Sequence, residues 1–255
     1  LGVVLDIAAW NYPLLIAVNV IVPAILAGNA VAIKHSSLTP LCAIAFEKAF
    51  RHADAPDGLV THLIMDHATT EKAIESGLID HVAFTGSTGG GRHVQRSASS
   101  QFIDVGLELG GKDPAYIRQD ADLNSAISGV MDGVFYNGGQ SCCAVERIYV
   151  HKLLVDKFVE GAVEFMNKLK IGNPMDDATD LGPMAQENGI KTVTDQLKDA
   201  TDKGAKIMTH PGHVRSGENY IFPAILTDVN HDMEVMMEET FGPIVGIMAV
   251  KSDEE

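Results

Sequence analysis

The sequence predicts an α/β protein: an open, mostly parallel, Rossmann-like sheet followed by a second α/β domain. Short apolar runs alternate with longer segments of helical period, an order typical of parallel strands connected by crossover helices. The alternation restarts after Gly110-Gly111, and 255 residues suffice for two modest domains. We therefore expect two domains, residues 1–110 and 111–255, with a boundary near Gly110–Asp113.

The elements of the first half follow from the period of its apolar residues. Strands are predicted at Leu1–Ile7, Ala30–Ile33, Leu59–Met65, His81–Phe84 and Phe102–Leu107. Helices are predicted at Leu14–Leu26, Thr39–His52, Thr70–Ser76 and Arg92–Ala98. Gly28 is expected to stop the first of these helices.

The second half repeats the pattern around a loop that is rich in glycine and proline. Helices are predicted at Leu123–Tyr136, Leu153–Leu169 and Gln186–Lys203. Strands are predicted at Arg147–Val150, Lys206–Thr209, Tyr220–Leu226 and Pro243–Val250. The loop spans Lys170–Gly182.

The charge balance argues against two classes of partner. The net charge is −15, and the few basic residues are scattered. Nucleic acid and anionic membrane surfaces both require basic patches, so we expect neither as a partner. The longest apolar region, Leu14–Ile33, is interrupted by polar residues, proline and glycine, and reads as a buried helix followed by a strand.

Three cysteines, two of them adjacent, cannot form a disulfide framework. We therefore predict a reducing, cytoplasmic compartment, and any targeting segment would precede Leu1. The histidines and cysteines show no metal-ligand spacing, so no metal is expected. Leu1 opens directly into a strand and Glu255 follows one, which suggests that both ends are cuts through a larger protein.

A glycine-rich segment, Phe84–Arg92, follows a predicted strand and precedes a predicted helix. Glycines let the backbone approach a ligand, and Ser87 can cap the helix while the helix N-terminus faces a phosphate. The segment is not the usual G-x-G-x-x-G fingerprint, so a flexible turn is the alternative. Gly86 and Ser87 are the candidate phosphate contacts.

Glu108 ends a predicted strand and precedes Gly110-Gly111. Catalytic groups of α/β proteins often lie at strand ends. A lone glutamate beside two glycines is also a common turn residue, so this segment alone decides nothing.

Cys142 and Cys143 follow the small and polar residues Asn137–Ser141. An open backbone gives a thiolate the solvent access that a nucleophile needs, whereas most cysteines are small buried hydrophobes. We expect one cysteine of the pair to react and the other to pack.

Asn11 lies in Trp10–Pro13, at the end of the first predicted strand. Its amide can donate to a developing oxyanion, or it can bond to its own backbone as many loop asparagines do.

Taken together and in order, these segments resemble the aldehyde dehydrogenase superfamily over essentially the whole chain. Five motifs carry the resemblance: Trp10–Pro13, Gly86–Gly91, Glu108–Lys112, Gly139–Cys142 and Glu238–Pro243. It implies a central fragment, with residues 1–110 forming an NAD(P)-binding domain that lacks its N-terminal part. Residues 111–255 would form a catalytic domain that lacks its C-terminal part. It further implies a small aldehyde as substrate and a homo-oligomer for the full-length protein.

The resemblance assigns the catalytic roles. Cys142 would attack the aldehyde carbon, with the oxyanion held by the side-chain amide of Asn11 and the Cys142 N–H. Hydride transfer to the nicotinamide leaves a thioester. Glu108 would activate the water that hydrolyses it, and Cys143 would be structural.

The resemblance also assigns the cofactor contacts. Lys34 would bind the adenosine ribose and Ser87 the pyrophosphate. Glu239 would bind the nicotinamide ribose, and Phe241 would pack beside the nicotinamide.

One departure concerns the choice between NAD and NADP. Many NAD-preferring relatives carry a glutamate three residues after the lysine that corresponds to Lys34, where this chain has Ser37. A carboxylate there repels a 2′-phosphate, whereas serine can donate to it. We therefore expect NADP to be accepted or preferred.

Two alternatives stay open. In the acylating branch of the superfamily, coenzyme A receives the acyl group instead of water, and Glu108 argues against that branch. A nucleotide-binding or structural fragment without turnover is the other alternative.

Overall fold

Two five-stranded, mostly parallel sheets organise the described part of the chain, residues 2–210 and 219–255 of the computed structural model. The chain divides into two compact units, Leu1–Gly110 and Gly111–Glu255, each containing one sheet. The α/β fold class predicted from the alternation of elements is confirmed. Leu1, part of the first predicted strand, lies outside the described residues.

The sheet of the first unit has the order β3-β2-β1-β4-β5, and all its neighbouring strands are parallel. Strands β2 and β3 lie on one side of β1, and β4 and β5 lie on the other. The strand order therefore reverses between β1 and β4. The strands are β1 Val3–Ala8, β2 Ala30–His35, β3 Val60–His62, β4 His81–Gly86 and β5 Asp104–Leu109. The crossover helices are α1 Pro13–Leu26, α2 Pro40–His52, α3 His67–Glu75 and α4 Thr88–Ser99.

Both faces of this sheet are covered, because crossover helices lie on either side of a parallel sheet. On one face Leu5 and Ile7 of β1 share a buried cluster with residues of α3 and α4. On the other face Ala8 packs with Ala17 and Ile21 of α1. The alternation of β1 side chains between two apolar faces explains why its sequence is almost continuously apolar.

Helix α1 ends as predicted at Gly28, which has a φ of +87°. The N–H of Asn29 donates to Ala24 O at 3.0 Å, and the N–H of Gly28 donates to Ile25 O at 2.8 Å. This pair of bonds is the Schellman motif, in which a left-handed glycine satisfies the last carbonyls of a helix.

The sheet of the second unit has the order β6-β7-β10-β9-β8, with β8 antiparallel to β9 and the other pairs parallel. The strands are β6 Pro114–Ile117, β7 Arg147–His151, β8 Lys206–Thr209, β9 Ala224–Thr227 and β10 Ile244–Val250. The helices are α5 Leu123–Phe135, α6 Val155–Lys168, α7 Glu187–Asp202 and α8 Glu234–Met237, with a 3₁₀ turn at Tyr136–Gly139. One apolar cluster joins α5 and α6 to the sheet, and a second joins α7 and α8 to it.

Several predicted boundaries were wrong for identifiable reasons. The third strand stops at His62 rather than Met65. Helix α3 begins at His67 rather than Thr70, since Asp66 caps it by accepting the Thr69 N–H at 2.8 Å. The strand predicted at Tyr220–Leu226 begins only at Ala224, because Pro223 has no N–H to pair. Among the described residues, no helix is long and apolar enough to cross a bilayer.

Candidate active site

The carboxyl edge of the first sheet gathers the predicted site residues of the first unit. Because its strands are parallel, the residues that end them share one edge. Asn11 follows β1 and Gly86 ends β4, so both flank the reversal of strand order, where open α/β sheets bind ligands. The predicted site residues at or next to these strand ends are Asn11, Lys34, Ser37, Gly86, Ser87 and Glu108.

The glycine-rich segment is the first turn of α4 rather than the flexible turn that was the alternative. The helix begins at Thr88, not near Arg92 as predicted. Ser87 caps it, with its Oγ accepting the N–H of Gly90 at 3.1 Å. A Cβ at Gly90 would stand 2.7 Å from Phe84 Cζ, and one at Gly91 2.7 Å from Leu109 Cδ2. The glycines therefore let the helix N-terminus approach β4 and β5 closely.

Lys34 and Ser37 lie at the end of β2 in different environments. Lys34 is buried at 6% exposure, and burial lowers the pKa of its ammonium. Ser37 is exposed in the turn that follows the strand. The end of β2 therefore carries two kinds of hydrogen-bond donor: the buried ammonium of Lys34 and the exposed hydroxyl of Ser37.

Glu108 lies on the edge strand β5, in register with Thr85 of β4. Its side chain is exposed. The carboxylate is therefore accessible to water and to small molecules.

Cys142 and Cys143 occupy the two central positions of a β-turn. The turn is closed by the Ala144 N–H, which donates to Ser141 O at 3.1 Å. Ser141 and Ala144 are buried, whereas both cysteines are exposed because central turn residues project outward. The expectation that Cys143 packs in the interior was wrong: its Sγ lies 3.2 Å from Ser141 Oγ at the surface of the turn.

The segment before this turn has an unusual backbone. Asn137, Gly138 and Gly139 all have positive φ, at 52°, 65° and 70°. The side chains of Asn137 and Gln140 each donate to the backbone carbonyl of the other residue, at 3.2 and 3.1 Å. Gln140 Oε1 also accepts the N–H of Ala185 at 2.9 Å. These bonds fix the path of the chain into the cysteine turn.

Glu239 and Phe241 precede β10 in the second unit. Glu239 is half-buried, and its carboxylate accepts the N–H of Gly111. Burial, and next the negative charge of Glu146, raise the pKa of Glu239. Phe241 has a φ of +51°, an uncommon conformation for an aromatic residue.

The chain matches the family model described as "Aldehyde dehydrogenase family" over residues 1–255. This chain belongs to the aldehyde dehydrogenase family. The resemblance seen in the five motifs is thereby confirmed at the level of the family.

Two similar members of the family are dehydrogenases of different aldehydes. A betaine aldehyde dehydrogenase of Brucella anthropi is 36% identical over 259 residues, which cover 100% of this chain and 53% of that protein. A succinate-semialdehyde dehydrogenase of Mycobacterium bovis, whose name specifies NADP(+), is 34% identical and matches 100% of this chain and 56% of its own length. The chain thus spans about half the length of these relatives.

A solved aldehyde dehydrogenase shares the fold. The betaine aldehyde dehydrogenase of Staphylococcus aureus, in complex with NAD+, superposes with a TM-score of 0.93 at 30% identity. The match covers 100% of this chain and 51% of that protein.

In this member of the aldehyde dehydrogenase family, sequence reasoning missed a buried polar cluster beside Glu239 and Phe241. Four buried side chains in the second unit are hydrogen-bonded to one another or to the backbone of residues 239–241: Lys112, Glu146, Gln196 and Thr240. One signal was present: Glu146 is an acidic residue directly before the strand Arg147–His151. Its partners are distant in sequence, so no local pattern reveals them.

A second missed residue of this family member is Asp6, in the middle of the central strand β1. It is 1% exposed, and within the described residues its Oδ2 has no hydrogen-bond partner. Burial raises the pKa of its carboxyl to about 8. Burial therefore favours the protonated, neutral form of this carboxyl.

Proposed function

We propose that this chain is the core of an NAD(P)-dependent aldehyde dehydrogenase that oxidises a small aldehyde to a carboxylic acid. The observation that carries the proposal is the exposed Cys142 at the corner of a fixed β-turn, in a chain of this family. Residues 1–110 would bind the cofactor, and residues 111–255 would supply the nucleophile.

The residues at the carboxyl edge of the first sheet fit a dinucleotide. The capped N-terminus of α4 points backbone N–H groups toward that edge, which suits a pyrophosphate, and Gly86 and Ser87 border it. Lys34 would bind the adenosine ribose, and Ser37 leaves room for a 2′-phosphate, so both NAD and NADP would be accepted. Glu239 and Phe241 would bind the nicotinamide half. The bound NAD(P)+ supplies the hydride acceptor.

The chemistry of the protein residues starts with attack of the Cys142 thiolate on the aldehyde carbon. The oxyanion of the thiohemiacetal would accept hydrogen bonds from the Asn11 side chain and the Cys142 N–H. Loss of the hydride from this carbon leaves a thioester on Cys142. Glu108 would take a proton from water, whose hydroxide adds to the thioester carbon and releases the carboxylic acid and the Cys142 thiolate.

The first test is aldehyde-dependent growth of reduced-nicotinamide absorbance in the full-length protein, with NAD and NADP measured separately. Cys142→Ser should lower kcat by about a thousandfold or more, because a hydroxyl is a far weaker nucleophile than a thiolate. Cys143→Ser is the matched control, since both cysteines are exposed at the same turn, and it should retain most activity. Full activity of Cys142→Ser would contradict the proposal.

The role of Glu108 has its own signature. Glu108→Gln should still form the thioester, and so should release about one equivalent of reduced cofactor per site and then stall. Acyl-coenzyme A formation by the wild type would instead indicate the acylating branch. Cofactor binding without reduction across a broad aldehyde panel would indicate a non-catalytic protein.

A further inference from the structure

A buried ion pair lies beside the predicted nicotinamide-binding residues. Lys112 Nζ lies 2.9 Å from Glu146 Oε2, and the two side chains are 7% and 6% exposed. Lys112 precedes β6 and Glu146 precedes β7, which are neighbouring parallel strands. Burying both charges has a large desolvation cost, so such a pair is weak support for stability and points to another role.

The Glu146 carboxylate bonds to the backbone directly before β10. Its Oε2 accepts the Thr240 N–H at 2.8 Å, and its Oε1 accepts the Phe241 N–H at 2.9 Å. One carboxylate thus fixes two successive peptide groups.

Thr240 and Gln196 complete the cluster. Thr240 Oγ1 accepts from Lys112 Nζ at 2.8 Å and donates to Gln196 Oε1 at 2.7 Å. The Gln196 side-chain amide donates to Glu239 O at 3.1 Å. Each residue of 239–241 therefore has a backbone group bonded to the cluster.

The conformation held by these bonds is strained. Phe241 has a φ of +51°, where the Cβ of a bulky residue crowds the backbone. Such strain persists only where the surroundings over-determine the conformation, and it is found most often at ligand-binding segments. The two N–H groups that donate to Glu146 belong to Thr240 and Phe241, so the carboxylate fixes the two peptide groups that lead into the strained conformation.

We infer that Glu146 is a positioning residue: it holds Phe241 in the left-handed conformation and so sets the geometry with which Glu239 and Phe241 meet the nicotinamide. The inference rests on the proposed function. Lys112 provides the counter-charge that lets a carboxylate occupy this buried place. Misplacing the nicotinamide lowers the rate of hydride transfer, whereas hydrolysis of an acyl group on Cys142 involves no hydride transfer.

Glu146→Gln in the full-length protein tests the inference. Its amide nitrogen cannot accept a hydrogen bond, so one of the two backbone N–H groups loses its partner. Aldehyde oxidation should fall by about tenfold to a hundredfold. The kinetic isotope effect on kcat, with deuterium on the carbonyl carbon of the aldehyde, should rise as hydride transfer becomes slower.

Hydrolysis of an activated ester separates positioning from general damage. It forms an acyl group on Cys142 without hydride transfer, so Glu146→Gln should retain it within about twofold. Glu146→Asp keeps the charge but is one methylene shorter, and should restore part of the oxidation rate. Glu238→Gln is the charge-matched control at an exposed residue of the same segment, and should leave both activities unchanged.

If Glu146→Gln fails to fold because the Lys112 charge is left unpaired, Lys112→Met combined with Glu146→Gln removes both charges. The double variant should show the same selective loss of oxidation. Equal losses of oxidation and esterase activity, or no loss of either, would overturn the positioning role while leaving the proposed function intact. Absence of both Cys142-dependent activities from the wild type would overturn the proposed function and this inference with it.

Discussion

Gly139 lies against the backbone carbonyl of Gly242, so closely that a Cβ on Gly139 would stand 2.3 Å from the carbonyl oxygen. Gly139 comes three residues before Cys142, and Gly242 directly follows Phe241. The contact thus joins the turn of the predicted nucleophile to the segment predicted to bind the nicotinamide half. Only glycine allows this approach, since a φ of +70° also disfavours any side chain there.

Gly139→Ala should therefore lower the free energy of unfolding by about 3 kcal/mol, because it adds a clash with backbone to a left-handed conformation. Aldehyde oxidation should fall as the cysteine turn shifts. Urea denaturation and steady-state kinetics measure the two effects.

Gly129→Ala is the matched control. Gly129 lies inside α5, and a Cβ there would have no atom within 4 Å apart from those of its chain neighbours and its own helix backbone. This variant should raise the free energy of unfolding by about 0.5–1 kcal/mol, because alanine favours a helix over glycine. Equal effects of the two substitutions would refute the steric explanation.

Capping and cofactor binding by Ser87 can be separated by two substitutions. Ser87→Ala removes the oxygen that accepts the Gly90 N–H, and should cost about 1 kcal/mol of stability. Ser87→Asp keeps an acceptor and should retain stability, but its charge should repel a pyrophosphate. Urea unfolding measures the stability of each variant, and titration with the cofactor, followed by fluorescence quenching, measures its cofactor affinity. Wild-type cofactor affinity in Ser87→Asp would remove Ser87 from the pyrophosphate site.

The sequence predicted those elements that depend on local periodicity and caps, such as α1 with its stop at Gly28. It misplaced the start of α4, because three successive glycines have low helix propensity. Their helical conformation depends on close packing against Phe84 and Leu109, which is a tertiary property. The four-residue elements β6 and α8 were missed, whereas β8, which is equally short, was predicted at Lys206–Thr209, so length alone does not explain the misses.

The sequence supplies candidate site residues where a single residue type suggests the chemistry, and supplies fewer where the folded environment decides the role. Cys142 and Glu108 stand out by residue type beside small neighbours. The exposure of Cys143 depends on its place in a β-turn. Glu146 bonds to residues 94 and 95 positions further along the chain, so its role appears only after folding.

Replacement of Ser37 by glutamate should shift the cofactor preference from NADP toward NAD. Ser37 is exposed in the turn after β2, where a carboxylate would repel a 2′-phosphate. The ratio of kcat/KM for NADP to that for NAD should fall at least about tenfold, equivalent to about 1.4 kcal/mol. Leu38→Glu adds the same charge to the neighbouring exposed position and should change the ratio less. The explanation fails if Ser37→Glu leaves the ratio as it is.

The buried carboxyl of Asp6 should make the stability of the protein depend on pH. Burial raises its pKa from 3.8 to about 8, so the folded state keeps a proton that the unfolded state releases. Between about pH 4 and pH 8 the unfolded state therefore binds fewer protons, and the free energy of unfolding falls by about 1.4 kcal/mol per pH unit from this group. The loss levels off above the folded-state pKa, where both states are ionised.

Asp6→Asn tests this dependence, because the amide has nearly the same shape and does not ionise. The variant should gain stability relative to the wild type as the pH rises from 5 to 8, measured as the difference in melting temperature. Asp6→Leu should show a similar pH slope despite a different absolute stability, since it also removes the ionisation. A difference between Asp6→Asn and wild type that stays constant over this range would mean that Asp6 is ionised in the fold, with a counter-charge that compensates its burial.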